Sequence, residues 1–463
     1  MADERRVVVL GTEPLTPAAY VAVVHHDARV ELGDPARIDA RRAALEARLA
    51  AGDVIYSVNT GYGAEAGRAI APDALARVQR DTVASHAVGV GPAVPEPVVR
   101  GALLLLAQAV AHGAPGHRRA IAIGLVDALN ARRHPPVPSL GSNSASDLIP
   151  LAHLVLGLDL PPLEAKEASL LNTTAFTTAL AFDAVRSAFA VVDGAERAAA
   201  LTLQAVRGFP EAFDERLVAL RPHAGALQTA AHMRALLAGS GLLHAAGRPH
   251  DAFSLRALPQ VHGAVRDAIS HASRALEIEL SAVTDNPVVL EDGSVLSGAL
   301  FHGAPIGLPL DGVALALGEI AAMSVARTRH LVAGTFGTPP KLTRDPQAHG
   351  LLMLPALASA LLSEARVRAS PASRESVPVD PMEDHVAMAA LAARQAGEVA
   401  DLVARVCAVE LACAAQALDL GGDVAAASHP AQALHAAVRA RLEFVDADRP
   451  LDTTVLLDLV SGG

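Results

Sequence analysis

Residues Ser139–His153 read S-L-G-S-N-S-A-S-D-L-I-P-L-A-H, a run of small polar residues that goes straight into an apolar segment. Ser144, Ser146 or Asp147 can cap the first turn of the helix that follows. The open N–H groups of that turn form a small positive site, suited to an anion or to developing negative charge. Other residues stand where side-chain chemistry is available. Tyr56 sits in V-I-Y-S-V-N-T-G-Y-G, residues 54–63, where β-branched residues give way to an Asn-Thr-Gly loop. His86 lies near the end of a helical stretch, Asn172 just before a long one, and Glu383 at the start of another. Each also has a plain structural role open to it: a capped helix start, a packed tyrosine, a structural histidine, an N-cap, an acid beside a helix dipole.

These residues need elements to position them. The chain has 463 residues, 51% of them hydrophobic, rich in Ala and Leu, with 3% aromatic residues and no Trp. Ala and Leu favour helix, so the composition predicts a mainly α protein with closely approaching helices. Near the N-terminus, Val7–Leu10 and Val21–Val24 alternate with turn residues and suggest a small strand pair. Asp34-Pro35 opens a helix that Gly52 stops near Ala51. Helices follow at Pro72–Val88, Pro97–His112 and Gly116–Asn130, after which Pro135, Pro136 and Pro138 force an extended approach to the polar run. Beyond Asp147 almost everything reads as helix: Thr174–Val206, Pro222–Ala238, then 259–281, and at about 308–332, 346–367, 382–416 and 430–442. A small hairpin is expected around Asp292-Gly293.

The net charge is −11 and no Lys/Arg-rich run stands out, which argues against a nucleic acid or an anionic membrane as partner. Cys407 and Cys413 lie in an Ala-rich helical stretch and fit buried thiols of a reducing compartment. The scattered histidines, His25-His26 among them, lack metal-ligand spacing, and no phosphate-binding glycine loop is present, so neither a metal nor a dissociable cofactor is expected. The N-terminus has no apolar core of signal-peptide length, and runs such as Gly101–Ala111 are too short to span a bilayer. A soluble cytoplasmic protein is expected.

Taken together, the motifs resemble those of the histidine and aromatic amino-acid ammonia-lyases and aminomutases. Gly141, Ser142, Ala145, Ser146, Asp147, Leu148, Pro150 and Leu151 match the setting G-S-x-x-A-S-G-D-L-x-P-L, in which an Ala-Ser-Gly triplet cyclises to the electrophile methylideneimidazolone. The Tyr56 loop resembles Y-G-[VI]-N-T-G-F-G. His250–Gly263 resembles Q-D-x-Y-S-x-R-x-x-P-Q-V-x-G, Ser281–Pro287 matches S-A-V-T-D-N-P, and Phe301–Gly303 matches F-H-G. The resemblance spans most of residues 54–388. It implies a large bundle of long helices with a smaller mixed N-terminal part, divided at about residues 1–145 and 146–463, and a homotetramer with shared active sites. It implies catalytic roles for Tyr56, as acid/base, and for Ala145, Ser146, Asp147 and Glu383. It implies substrate-binding roles for His86, Asn172, Arg256, Phe253, Phe301, His250 and Leu300. Arg256 would grip a substrate carboxylate, which suits a planar guanidinium.

The sequence also departs from that pattern. The Gly of the triplet is absent, and Ala145-Ser146 runs directly into Asp147. Phe253 stands for a Tyr, Leu300 for an Asn and His250 for a Gln. Forming the electrophile asks for a tight backbone approach that Gly allows and a Cβ hinders. The expected activity is elimination of ammonia, or a 2,3-amino shift, on a histidine-like or aromatic α-amino acid, with an electrophile at Ala145-Ser146-Asp147. Two other readings are open: an electrophile-free acid/base reaction on another carboxylate-bearing small molecule, and a non-catalytic binding relative.

Overall fold

The computed structural model describes residues 7–61, 67–245, 247–375, 377–379 and 381–462; Tyr62 and Gly63 of the loop motif and Asp380 lie outside the described residues. In chain order the elements are β1 (Val7–Leu10), α1 (Pro17–His26), β2 (Arg29–Leu32), α2 (Ala36–Ala50), α3 (Leu75–His86), β3 (Val90–Ala93), α4 (Glu96–His112), α5 (Arg119–Asn130) and β4 (Pro138–Leu140). Then come α6 (Leu148–Leu156), α7 (Ala175–Ala205), α8 (Glu215–Val218), α9 (Ala224–Leu237), α10 (Phe253–Arg256), α11 (Leu258–Glu279), β5 (Val288–Val289) and β6 (Val295–Leu296). The rest is α12 (Ala304–Ala333), α13 (Leu354–Arg368), α14 (Ala389–Gly421), α15 (His429–Arg439) and α16 (Leu457–Ser461).

The expected strand pair exists, but its second strand is Arg29–Leu32, parallel to β1, and Val21–Val24 is helical. The reason is local. Thr16 accepts a hydrogen bond from Ala19 N, and Pro17 starts the helix, so the valines continue a capped helix that already has its first turn. The hairpin at Asp292-Gly293 is present as β5 and β6. Two helices start later than the sequence suggested: α13 at Leu354, with Pro355 in its first turn, and α14 at Ala389.

The chain divides into two compact units, each made of discontinuous stretches. Unit 1 holds residues 1–183, 273–308 and 372–394; unit 2 holds 184–272, 309–371 and 395–463. The core of unit 1 is built around α4, whose residues 98–111 are all buried. Arg100 within it is satisfied by donating to the carbonyls of Val23 and Leu129.

In unit 2, Arg327 of α12 and Glu410 of α14 form a fully buried two-pronged pair at 2.6 and 2.8 Å. Thr202 donates to the same carboxylate, and Arg327 reaches the Ser254 carbonyl, which ties α10 to the helices. Cys407 and Cys413 are buried as expected, and burial pushes the Cys407 thiol up to about 12. Close helix approach is clearest between α9 and α11, where a Cβ on Gly225 would run into the Gly263 carbonyl oxygen. Gly225→Ala should therefore cost about 1–3 kcal/mol of overpacking, read as a lowered denaturant midpoint at unchanged m-value.

Among the described residues, two stretches longer than Gly101–Ala111, Glu167–Ala205 and Ala304–Ala333, have the length and apolarity to cross a membrane. In each, 61% of the apolar window is buried within the protein, so packing inside the fold accounts for their composition.

Candidate active site

Three distant stretches of unit 1 meet at the Ser142–Asp147 turn. Ser146 N donates to the Phe301 carbonyl at 3.1 Å, Gly303 N donates to the Ser144 carbonyl at 2.9 Å, and Ala145 pairs with His302 as a β-bridge. From the other side, Met388 N donates to the Asn143 carbonyl and Ala390 N to Ser144 Oγ. Phe301–Gly303 and the stretch Met388–Ala390 therefore clamp the turn. Two of its residues sit in the left-handed region without being glycine: Ser144 at φ 59° and Ser146 at φ 79°. Such conformations cost on the order of 1–2 kcal/mol each and persist only where surroundings hold them.

Asp147 is the residue before α6, but its side chain does not cap that helix. Its carboxylate is fully buried. It accepts from Thr177 N at 2.7 Å, from Thr177 Oγ1 at 2.6 Å and from Ser142 Oγ at 2.7 Å. Burial pushes its carboxyl above the usual range while those hydrogen bonds pull it back. Its amide N donates to the Thr173 carbonyl at 2.7 Å. Asp147 thus anchors the turn from behind.

Tyr56 is held by turns that its own loop supplies. Asn59 Oδ1 accepts from Ile55 N, Asn59 Nδ2 donates to the Asp53 carbonyl, and Thr60 Oγ1 accepts from Ser57 N. The loop then pairs Thr60 with Ala69, which brings Arg68 and Ile70 back beside Tyr56. Asn172 Nδ2 donates to the Asn286 carbonyl at 3.1 Å, an oxygen that Ser57 also approaches, so the T-D-N-P segment joins the tyrosine loop to Asn172. His86 Nδ1 lies 2.7 Å from the Thr82 carbonyl. A carbonyl can only accept, so in the neutral ring Nδ1 carries the proton and Nε2 is the acceptor.

The result is one cavity of about 560 Å³ lined by Tyr56, His86, Ala145, Ser146, Asn172, Phe301 and Glu383. Ile70, Val78, Leu148 and Leu171 give it an apolar side, and Arg68 and Thr82 add polar groups. A second cavity of about 470 Å³ shares Tyr56, Ala145, Phe301 and Glu383 and adds His302 and His385, whose Nε2 and Nδ1 are 3.1 Å apart. The sequence offered no reason to pick Arg68, a lone arginine in an Ala/Gly loop; His302 belongs to the F-H-G motif, and only tertiary pairing brings it together with His385.

The other expected residues lie elsewhere. Leu300 is 56% exposed and does not line either cavity. His250, Phe253 and Arg256 belong to unit 2, where Phe253 is 72% exposed and the Arg256 guanidinium stacks over its ring at 4.8 Å. Glu383 precedes α14 by several residues and stands in a loop rather than a first helical turn.

The chain matches the aromatic amino acid lyase family over residues 15–159 and 156–440. It is 40% identical to a histidine ammonia-lyase of Sorangium cellulosum, covering 92% of this chain and 91% of that one. It is 39% identical to the corresponding enzyme of Symbiobacterium thermophilum, covering 97% and 96%. Among solved structures, a tyrosine aminomutase from Streptomyces globisporus superposes with a TM-score of 0.92 at 31% identity, over 98% of this chain and 96% of that one. A histidine ammonia-lyase from Trypanosoma cruzi does so with a TM-score of 0.87 at 30% identity, over 98% and 92%. Motifs, fold and relatives agree, and the chain belongs to the aromatic amino acid lyase family as a carbon–nitrogen lyase.

Proposed function

We propose that this lyase breaks the Cα–N bond of a histidine-like or aromatic α-amino acid, as an ammonia-lyase or an aminomutase does. One observation carries the reading: a phenol, an imidazole, an amide and a carboxylate face a single cavity with an apolar side. Elimination needs a base for the weakly acidic β-proton, and Tyr56 is the group placed to take it. Asn172 and Glu383 fix the amine and carboxylate ends, while Phe301 and the leucines hold an aromatic side chain. Arg256, exposed and absent from the cavity walls of its own chain, would grip the substrate carboxylate in the site of another subunit. This favours a homotetramer with shared sites, and Phe253 and His250 would travel with Arg256.

The family is known for an internal methylideneimidazolone-type group. In this chain it would have to arise at Ala145-Ser146-Asp147, and the residues there do not fit it. The third position carries a Cβ and a carboxylate fixed by three hydrogen bonds, and its amide N is committed to Thr173.

His86 bears on side-chain selection. An Nε2 acceptor suits a substrate ring that carries an N–H, such as imidazole. His86→Leu should lower kcat/KM for histidine relative to phenylalanine by about tenfold or more, a ratio taken from paired steady-state assays. The experiment for the function itself is a panel of histidine, phenylalanine and tyrosine, in parent and Nα-methylated forms, followed for unsaturated acid and freed amine. Consumption of a panel member with release of both products is expected. A panel left wholly intact by purified protein would overturn the reading.

A further inference from the structure

We infer that His302 and His385 form a positioning pair for Glu383 and act on the substrate through that carboxylate; this rests on the function proposed above. Glu383 lines both cavities but stands in a loop, outside the hydrogen-bond ladder of α14. A group that fixes one end of a substrate has to be held to within about 0.5 Å, and a loop reaches that precision only through ties to firmer structure. Val379 N donates to the Glu383 carbonyl at 3.0 Å, and Met388 N donates to the Asn143 carbonyl at 2.9 Å. Between these two ties, two residues beyond Glu383, the His385 ring meets the His302 ring.

The hydrogen bonds fix the tautomer of both rings. Ala304 N donates to His302 Nδ1 at 3.4 Å, so in the neutral ring the proton sits on Nε2. That Nε2 faces two atoms of one residue, His385 Nδ1 at 3.1 Å and the His385 carbonyl oxygen at 3.4 Å. A carbonyl only accepts, which independently places the same proton on His302 Nε2. His385 Nδ1 then accepts as well, and the His385 proton lies on its own Nε2. One N–H therefore holds both the ring and the backbone of His385, and the two rings lie against each other with centroids 5.1 Å apart. The donor stands on firm ground, because His302 is bridged to Ala145 and its neighbours Phe301 and Gly303 bond to the same turn. The acceptors stand on the loop that carries Glu383. The pair thus fixes the distance between that loop and the turn, and both histidines line the second cavity with Glu383 and Tyr56. The assignment is specific to atoms: His302 serves as a donor at Nε2 and His385 as an acceptor at Nδ1.

The test is steady-state kinetics of purified full-length variants on the amino acid of the panel that the parent protein turns over fastest. His302→Leu removes the donor and His385→Leu the acceptor. His302→Gln keeps an N–H near the place of Nε2, and His385→Asn keeps an oxygen near the place of Nδ1. Each leucine variant should lower kcat/KM by about tenfold or more, carried by KM more than by kcat, and the amide variants should recover most of that loss. In a Glu383→Gln background, His385→Leu should cost less than about threefold further, because the pair acts through the side chain already removed. His385 is exposed, so its replacement leaves the core intact, and melting temperatures check the fold of each variant. Full additivity of His385→Leu with Glu383→Gln, or amide variants as poor as the leucine ones, overturns the inference and leaves the proposed function standing. A parent protein that consumes no member of the panel overturns the proposed function and this inference with it.

Discussion

Tyr56→Phe should lower kcat about 10²–10⁴-fold on whichever substrate the protein turns over, with KM little changed. Asn59 and Thr60 hold the backbone on either side of Tyr56 through hydrogen bonds that do not involve the phenol oxygen. Phe therefore keeps the loop and the ring and removes the phenol oxygen placed to accept the proton. Tyr56 lines both cavities beside Ala145, Phe301 and Glu383. Stability should move by no more than about 0.5 kcal/mol, as for a change outside the core. A matched loss of kcat and kcat/KM at constant melting temperature is the expected signature of a group that acts in the transition state. A variant that keeps its rate within a few-fold removes Tyr56 from the chemistry and, with it, the acid/base account of this cavity.

What the sequence conveyed, and what it withheld, follows the range of the interactions involved. Helices set by composition and by local stops were legible, because Gly52 or the prolines before β4 act through their own φ and ψ. The loop around Tyr56 was legible too, since Asn59 and Thr60 bond within a few residues. Asp147 was not. As a helix-start acid it reads as a cap, but Thr177, thirty residues on, claims both carboxylate oxygens. The capping signal at Thr16-Pro17 was present and was outweighed by the β-branched run at Val21–Val24, a pattern that fits strand or buried helix equally. Arg68 returns to the cavity only through the Thr60–Ala69 bridge, and nothing in its neighbours' types announces that.

Lys166→Met should cost about 3–5 kcal/mol at neutral pH. Lys166 and Asp285 are both about 1% exposed, and Nζ lies 3.0 Å from Oδ1. Ser169 Oγ donates to the other carboxylate oxygen, and His117 Nε2 approaches both, 3.0 Å from that hydroxyl and 3.7 Å from the carboxylate. Burial and the Lys166 charge hold His117 well below its usual range, so in the parent protein the ammonium of Lys166 is the charge that balances Asp285. Removing Lys166 leaves a desolvated carboxylate with only dipoles around it. Its position matters to the site, because Asn286 follows directly, and the Asn286 carbonyl is where Asn172 and Ser57 meet. The pH dependence has a definite sign. Burial raises the Asp285 carboxyl to about 6, against about 3.9 in an unfolded chain. A raised acid favours the folded state below its unfolded pKa, and that contribution is lost as pH rises through the folded value. Without Lys166 the folded value climbs further, so the variant's deficit is greatest above pH ~7 and shrinks toward pH ~5, where Asp285 takes a proton. Denaturant midpoints of both proteins across that range measure it. The double variant Lys166→Met/Asp285→Asn should regain part of the loss, since neither charge is then buried alone. A deficit that is flat with pH, or a double variant no better than the single one, would mean that the pair is held by packing and not by its mutual charge.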